Sequence, residues 1–211
     1  AQKRCKENAK DYDIDPDICE DKRRRMHEFE ELVERSHQAK LDVIIDFVPN
    51  HVAREYHSTC KPKGVEDLGA TDNPQWAFSP LNNFYYIHQP FAPSFDVEGY
   101  TENPTRATGN DCFTAHPSKD DWYETVKLNY GVFYQSGGEQ QFDPIPNTWH
   151  KMLHILLFWS NKGVDGFRCD MAEMVPQAFW AWVIPQVKAK YPNILFIAEV
   201  YNPNLYREYL A

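Results

Sequence analysis

A chain of 211 residues with net charge −9 and 15% aromatic side chains, 6 Trp and 12 Tyr among them, has the composition of an acidic globular protein. The negative charge argues against nucleic acid or an anionic membrane as partner, and no stretch approaches the roughly twenty apolar residues of a membrane span. The aromatic load suits flat, uncharged ligands such as sugars. The five cysteines, Cys5, Cys19, Cys60, Cys112 and Cys169, are odd in number and scattered. They show neither metal-ligand spacing nor a disulfide framework, which leans towards a reducing, cytoplasmic compartment. The chain opens Ala1-Gln2-Lys3 without an initiator Met, so its true start is expected upstream.

Residues 1 to about 18 read as polar and irregular, with Asp13-Ile14-Asp15-Pro16-Asp17 as turn and capping chemistry. A helix is predicted from about Glu20 to Gln38, with Met26, Phe29, Leu32, Val33 and Ser36 as its apolar stripe. The basic run Lys22-Arg23-Arg24-Arg25 reads as a solvated face, because acidic residues follow closely. Leu41 to Val48 is then a buried strand running into Pro49-Asn50-His51, with Asp46, Asn50 and His51 as its polar end. Residues 52–146 break the strand–helix rhythm. They are rich in Pro, Asn, Asp and aromatics, and too long for a plain loop, so a small subdomain or ordered lid is expected. Trp76, Tyr85 and Tyr86 could stack on sugar rings, although local core packing accounts for any single aromatic better.

From Asn147 the rhythm returns. Trp149, Met152, Leu153, Leu156 and Trp159 fall at helical spacing, and Gly163 is placed to end that helix. Gly163 to Asp170 reads as a strand whose carboxyl end carries Arg168 and Asp170 on one face, with Phe167 and Cys169 on the other. A further helix runs from Pro176 to about Lys190, with Pro185 expected to kink or split it. Ile194 to Val200 is a last strand, apolar throughout and so expected to be buried on both faces, with Glu199 near its end.

Asp170 and Glu199 thus end consecutive strands of a βα repeat about thirty residues long. Parallel architectures carry their sites at that end of the sheet. Neighbouring parallel strands lie roughly 4.8 Å apart. That spacing suits the roughly 5–5.5 Å of a retaining glycosidase pair rather than the roughly 6.5–9.5 Å of an inverting one. Arg168 is expected to favour the ionised form of Asp170, which a nucleophile requires. On these residues alone, a structural Arg–Asp pair closing a strand end is an equal alternative.

The motifs resemble those of the α-amylase family of glycoside hydrolases, family 13. Asp46-Phe47-Val48-Pro49-Asn50-His51 is similar to the family's motif after the third barrel strand. Gly166-Phe167-Arg168-Cys169-Asp170 is similar to the motif on the fourth, and Glu199-Val200 to that on the fifth. Tyr12-Asp13-Ile14-Asp15-Pro16 resembles the segment between the second strand and second helix, and the insertion falls where the family carries its B domain.

The resemblance implies part of a TIM (β/α)8 barrel: residues 1–51 with the third strand, 52–146 as the inserted subdomain, and 147–211 up to the fifth strand. It further implies a retaining mechanism on an α-linked glucan or oligosaccharide, with Asp170 as nucleophile and Glu199 as general acid/base. Arg168 would orient Asp170, and His51, with Asp46 and Asn50, would contact the sugar. Calcium is a candidate cofactor, because Asn50 and Asp143 fall near positions that bind it in many members. Glu173-Met174 departs from the Lys-His many starch-degrading members carry there, which leaves calcium and substrate identity open. The third essential carboxylate and the remaining strands are expected outside residues 1–211, which alone should be inactive. A transglycosylase or sugar isomerase using the same chemistry, and a catalytically inactive carbohydrate-binding relative, are the alternatives. A metal-dependent hydrolase is disfavoured by the lack of His and Cys clusters.

Overall fold

The structure, a computed structural model, describes residues 16–61 and 64–209. Helix α1 (Pro16–Gln38) leads into β1 (Ile44–Phe47). The insertion follows as short strands: β2 (His51–Ala53), β3 (Tyr86–Ile87), β4 (Thr105–Arg106), β5 (Thr125–Lys127), β6 (Val132–Phe133) and β7 (Glu139–Gln140). Then come α2 (Asn147–Asn161), β8 (Gly166–Cys169), α3 (Gln177–Lys190), β9 (Leu195–Ala198) and the short α4 (Tyr206–Tyr209). Among the described residues no helix is long and apolar enough to cross a membrane.

β1, β8 and β9 form one parallel sheet in the order β1-β8-β9, with Ile44 opposite Gly166 opposite Leu195 and Phe47 opposite Cys169 opposite Ala198. One face of it carries Phe47, Phe167 and Cys169, all buried among Trp149, Met152 and Leu156 of α2 and Phe179, Trp180, Val183 and Val187 of α3. An edge-to-face pair ties sheet to helix, Phe47 against Trp180 of α3 at 6.3 Å between centroids; others join neighbours within each layer, Phe47–Phe167 at 6.1 Å and Trp149–Phe179 at 5.7 Å. The other face is open. Ile44, Leu195 and Ile197 are 41%, 47% and 47% exposed, on the face that the core of a closed barrel would cover. The described strands make an open segment and no closed barrel.

Three local expectations are corrected. α1 is already helical from Pro16, four residues before the predicted Glu20. Of the turn and capping stretch predicted at Asp13–Asp17, residues 13–15 lie outside the described residues, and Pro16 and Asp17 belong to α1. Leu32 is exposed, since the buried line on α1 runs through Phe29, against Trp159 at 5.3 Å, and Val33, and Leu32 lies one position off it. Pro185 does not split α3, which continues unbroken to Lys190. Gly163 closes the turn after α2 with φ +90°, as its placement predicts.

The insertion pairs antiparallel, β2 with β5, β3 with β4 and β6 with β7. Phe84, Tyr86, Leu128 and Tyr130 join the same apolar cluster as α2 and α3, so this segment packs onto the sheet's helices rather than standing apart. Its buried charges are paired. Glu102 accepts from Arg54 at 2.7 Å and from Arg106 at 2.6 Å, and the Arg54 guanidinium lies 4.5 Å from the centre of the Phe91 ring.

Candidate active site

The register that places Asp46 beside Arg168 continues past the strand ends. The Asp170 N–H donates to Phe47 O at 2.9 Å and the Glu199 N–H to Cys169 O at 3.0 Å, so both carboxylates leave the sheet from paired backbone. Arg168 collects them. Its Nη1 donates to Asp170 Oδ1 at 2.8 Å and reaches Asp46 Oδ2 at 3.4 Å, while its Nη2 pairs with Glu199 Oε1. A planar guanidinium with donors in a fixed fork can hold two carboxylates at a set mutual orientation, which a point charge cannot.

Met171, directly after Asp170, adopts the left-handed region at φ 47°, ψ 44°, unusual for a side chain of its size. That turn lets its N–H donate to Glu199 Oε2 at 3.1 Å. This bond is the main reason the Glu199 carboxyl is held below the usual carboxylate range; partial desolvation opposes it, and Tyr201, Asp170 and Arg168 reinforce it. Tyr201 stands in a chain segment that Glu173 fastens. Glu173 Oε2 accepts from the N–H groups of Tyr201 and Asn202, each at 2.9 Å. The departure seen in the sequence at Glu173-Met174 therefore has a structural task in this chain.

Asn50 and His51 approach from the insertion side. His51 pairs across β2–β5 with Lys127. Its ring meets Trp122 edge-on at 5.5 Å, and Asn50 Nδ2 lies 3.3 Å from its Nδ1. Burial pulls the imidazole pKa down; Asp170 is near enough to oppose that, and Lys127 adds to it, so the net direction is towards the neutral ring. Asn50 is itself buried, with Nδ2 donating to Gly109 O at 2.7 Å and Oδ1 accepting from Lys127 Nζ at 2.9 Å.

Calcium does not fit these residues. The Asn50 oxygen that would serve as ligand already faces a lysine nitrogen, and Lys127 is in turn paired with Asp111 at 2.5 Å. Asp143 lies exposed in the turn before α2. Among the described residues no group of three or more His, Cys, Asp and Glu side chains could hold a metal ion.

Asp46, Arg168, Asp170 and Glu199 are thus brought together, with His51 alongside and Asn50 behind it. Tyr85 and Tyr86 are core residues, whereas Trp76 is 56% exposed. Sequence reasoning passed over Lys127, Asp111, Gly109, Met171 and Trp122. Only Lys127 carried a signal, as a charge set between Val126 and Leu128 in a short apolar run.

Residues 7–196 match the family described as alpha amylase, catalytic domain. The chain belongs to this family, glycoside hydrolase family 13. Among curated proteins it is similar to alpha-1,4-glucan:maltose-1-phosphate maltosyltransferases. That of Rhodospirillum rubrum is 42% identical over 104 residues, 43% of this chain and 15% of the relative. That of Methylacidiphilum infernorum is 43% identical over 54 residues, 26% of this chain and 8% of the relative. Among solved structures, the S. marinus maltogenic amylase superposes with TM-score 0.53 at 19% identity, over 87% of this chain and 25% of that one. Cyclic alpha-maltosyl-(1→6)-maltose hydrolase from Arthrobacter globiformis gives 0.52 at 19%, over 84% and 31%. At that identity the likeness is one of fold: the three parallel strands and their helices are a segment of the TIM barrel of family 13 catalytic domains.

Proposed function

We propose that this chain carries the nucleophile and the acid/base of a retaining enzyme acting on α-linked glucans or oligosaccharides. β1, β8 and β9 serve as the third, fourth and fifth barrel strands, and residues 52–146 as the inserted subdomain. Asp170 attacks the anomeric carbon while Glu199 protonates the departing oxygen, leaving a glycosyl ester on Asp170. In the second step Glu199 takes the proton of the incoming hydroxyl, and the ester carbon–oxygen bond breaks. Arg168 orients Asp170. His51, with Asn50 behind it and Asp46 at the rim, faces the sugar.

The observation that carries this reading is the single Arg168 guanidinium on both carboxylates at adjacent strand ends. Adjacent parallel strands lie about 4.8 Å apart, close to the roughly 5–5.5 Å separation of a retaining pair. One feature runs against the first step. Met171 N–H and Arg168 both favour ionised Glu199. The acid role therefore requires a bound sugar to exclude water and draw Glu199 away from Arg168, which raises its pKa. The test is early-time NMR of the released sugar from the whole protein: the α anomer is expected first, and a β anomer first ends the two-step mechanism.

A second reading changes only the acceptor. The relatives from R. rubrum and M. infernorum are named as alpha-1,4-glucan:maltose-1-phosphate maltosyltransferases, which favours a sugar hydroxyl over water in the second step. Product analysis with and without an added acceptor sugar separates hydrolysis from transfer.

A further inference from the structure

Lys127 is 1% exposed, a burial that lysine side chains almost never reach unless paired. Its Nζ lies 2.9 Å from Asn50 Oδ1 and 2.5 Å from Asp111 Oδ1, with the centre of the Tyr134 ring at 5.2 Å. Both oxygens can only accept, so the lysine nitrogen donates to each. That constrains Asn50. Its Oδ1 is turned to Lys127, which leaves Nδ2 to donate to Gly109 O at 2.7 Å and to face His51 Nδ1 at 3.3 Å. Against an amide N–H, the ring nitrogen must accept. A neutral His51 then carries its proton on Nε2.

We infer that Lys127 is a positioning residue: through Asn50 it holds His51 in the Nε2–H tautomer, and its ammonium takes the place a divalent cation would hold against Asn50 Oδ1. His51 thereby presents a fixed donor from the nitrogen turned away from Asn50. Its use on a sugar hydroxyl rests on the proposed function; the tautomer and the independence from calcium do not. An asparagine free to flip would offer His51 an oxygen as readily as an N–H, and the ring would lose its preference. The internal cation is covalently part of β5, opposite His51 in the register, so chelators cannot remove it.

The test uses the whole protein labelled with ¹⁵N-histidine and read by long-range ¹H–¹⁵N NMR, with His51 assigned by loss of its signals in His51→Gln. The wild type should show the Nε2–H pattern, and neither that pattern nor the melting temperature should change in EDTA or calcium chloride. Asn50→Asp keeps an acceptor for Lys127 but removes the donor to His51; the protonated and unprotonated ring-nitrogen signals should exchange. Lys127→Met should give a mixture of both patterns, and should it fail to fold, Asn50→Asp carries the test. A wild-type Nδ1–H pattern, an unchanged pattern in Asn50→Asp, or melting that drops in EDTA and recovers with calcium would overturn the inference. No readout uses turnover, so the outcome stands whether or not the protein cleaves glucans.

Discussion

Gly109→Ala should damage the site through contact alone. The Gly109 carbonyl holds Asn50, and its N–H donates to Thr125 Oγ1 at 3.0 Å. A Cβ there would sit 2.7 Å from Thr125 Oγ1, 2.9 Å from His51 Cβ and 3.0 Å from His51 Cγ. None of these neighbours is the free end of a flexible chain, so each must yield by roughly half an ångström, an overpacking that costs about 1–3 kcal/mol. For a protein of this size or larger that lowers the melting temperature by about 2–4 °C per kcal/mol. The His51 ring moves with the strain, and a displacement of about 1 Å near a reacting centre costs up to about a hundredfold in rate. The assay pairs thermal melting with kcat/KM on a maltooligosaccharide. Gly137→Ala is the control: its Cβ would meet nothing within 4 Å, but φ +78° makes the alanine strained by about 1–2 kcal/mol. Gly137→Ala should melt earlier with turnover intact, whereas Gly109→Ala should lose both. Unchanged kcat/KM in Gly109→Ala would refute the claim that Gly109 seats His51.

Other outcomes follow from the same contacts. Asp170→Ala should abolish turnover, and Glu199→Gln should depress substrates with poor leaving groups most, because only they need protonation; equal losses on aryl and alkyl glucosides would remove Glu199 from the acid role. Arg168→Lys should be nearly as severe in kcat, since one ammonium cannot fork between Asp170 and Glu199. Glu173→Ala should free the backbone of Tyr201 and Asn202, with protection of those amides in hydrogen exchange falling first. Burial alone would raise the Glu102 pKa, but hydrogen bonding and charge from Arg106, with the Arg54 charge, outweigh it, so the folded value lies below the unfolded one of about 4.3. The stability Glu102 contributes is therefore complete above about pH 5 and lost as pH falls through the depressed value, and in Glu102→Gln the acid limb of melting temperature against pH should flatten.

What was legible in the sequence was the part set by local period. The line Trp149, Met152, Leu156 predicts its helix because residues three and four apart share a face, and Arg168 and Asp170 share a strand face because side chains alternate. What was missed depends on neighbours far along the chain. Lys127 and Asn50 are 77 residues apart, and nothing within either motif announces the pairing. Leu32 fits the helical stripe by period, yet Trp159 and Gly163 meet α1 at Phe29 and Val33 instead. Trp76, Tyr85 and Tyr86 look alike as aromatics in a polar segment. Tyr85 is sealed because its hydroxyl finds Val132 O at 2.8 Å and its ring packs against Phe113 and Tyr134, contacts that no pattern within residues 76–86 encodes.

The charges at the strand ends are tied to one register. Ile44, Gly166 and Leu195 form one row across the sheet, and Asp46, Arg168 and Ile197 the row two residues on, so this face turns from apolar to charged along the strands. The opposite face, with Phe47, Phe167 and Cys169 against α2 and α3, has no partner for a guanidinium. Slipping β8 by one residue would move Arg168 into that cluster and turn Phe167 out to the open face. An unpaired buried charge costs several kcal/mol, comparable to the roughly 5–15 kcal/mol that stabilises a domain, and exposing Phe167 forfeits about 1.5–3 kcal/mol more. The aromatic core and the carboxylate pair are therefore one constraint seen from two faces: packing Phe167 against the helices obliges Arg168 to stand among Asp46, Asp170 and Glu199.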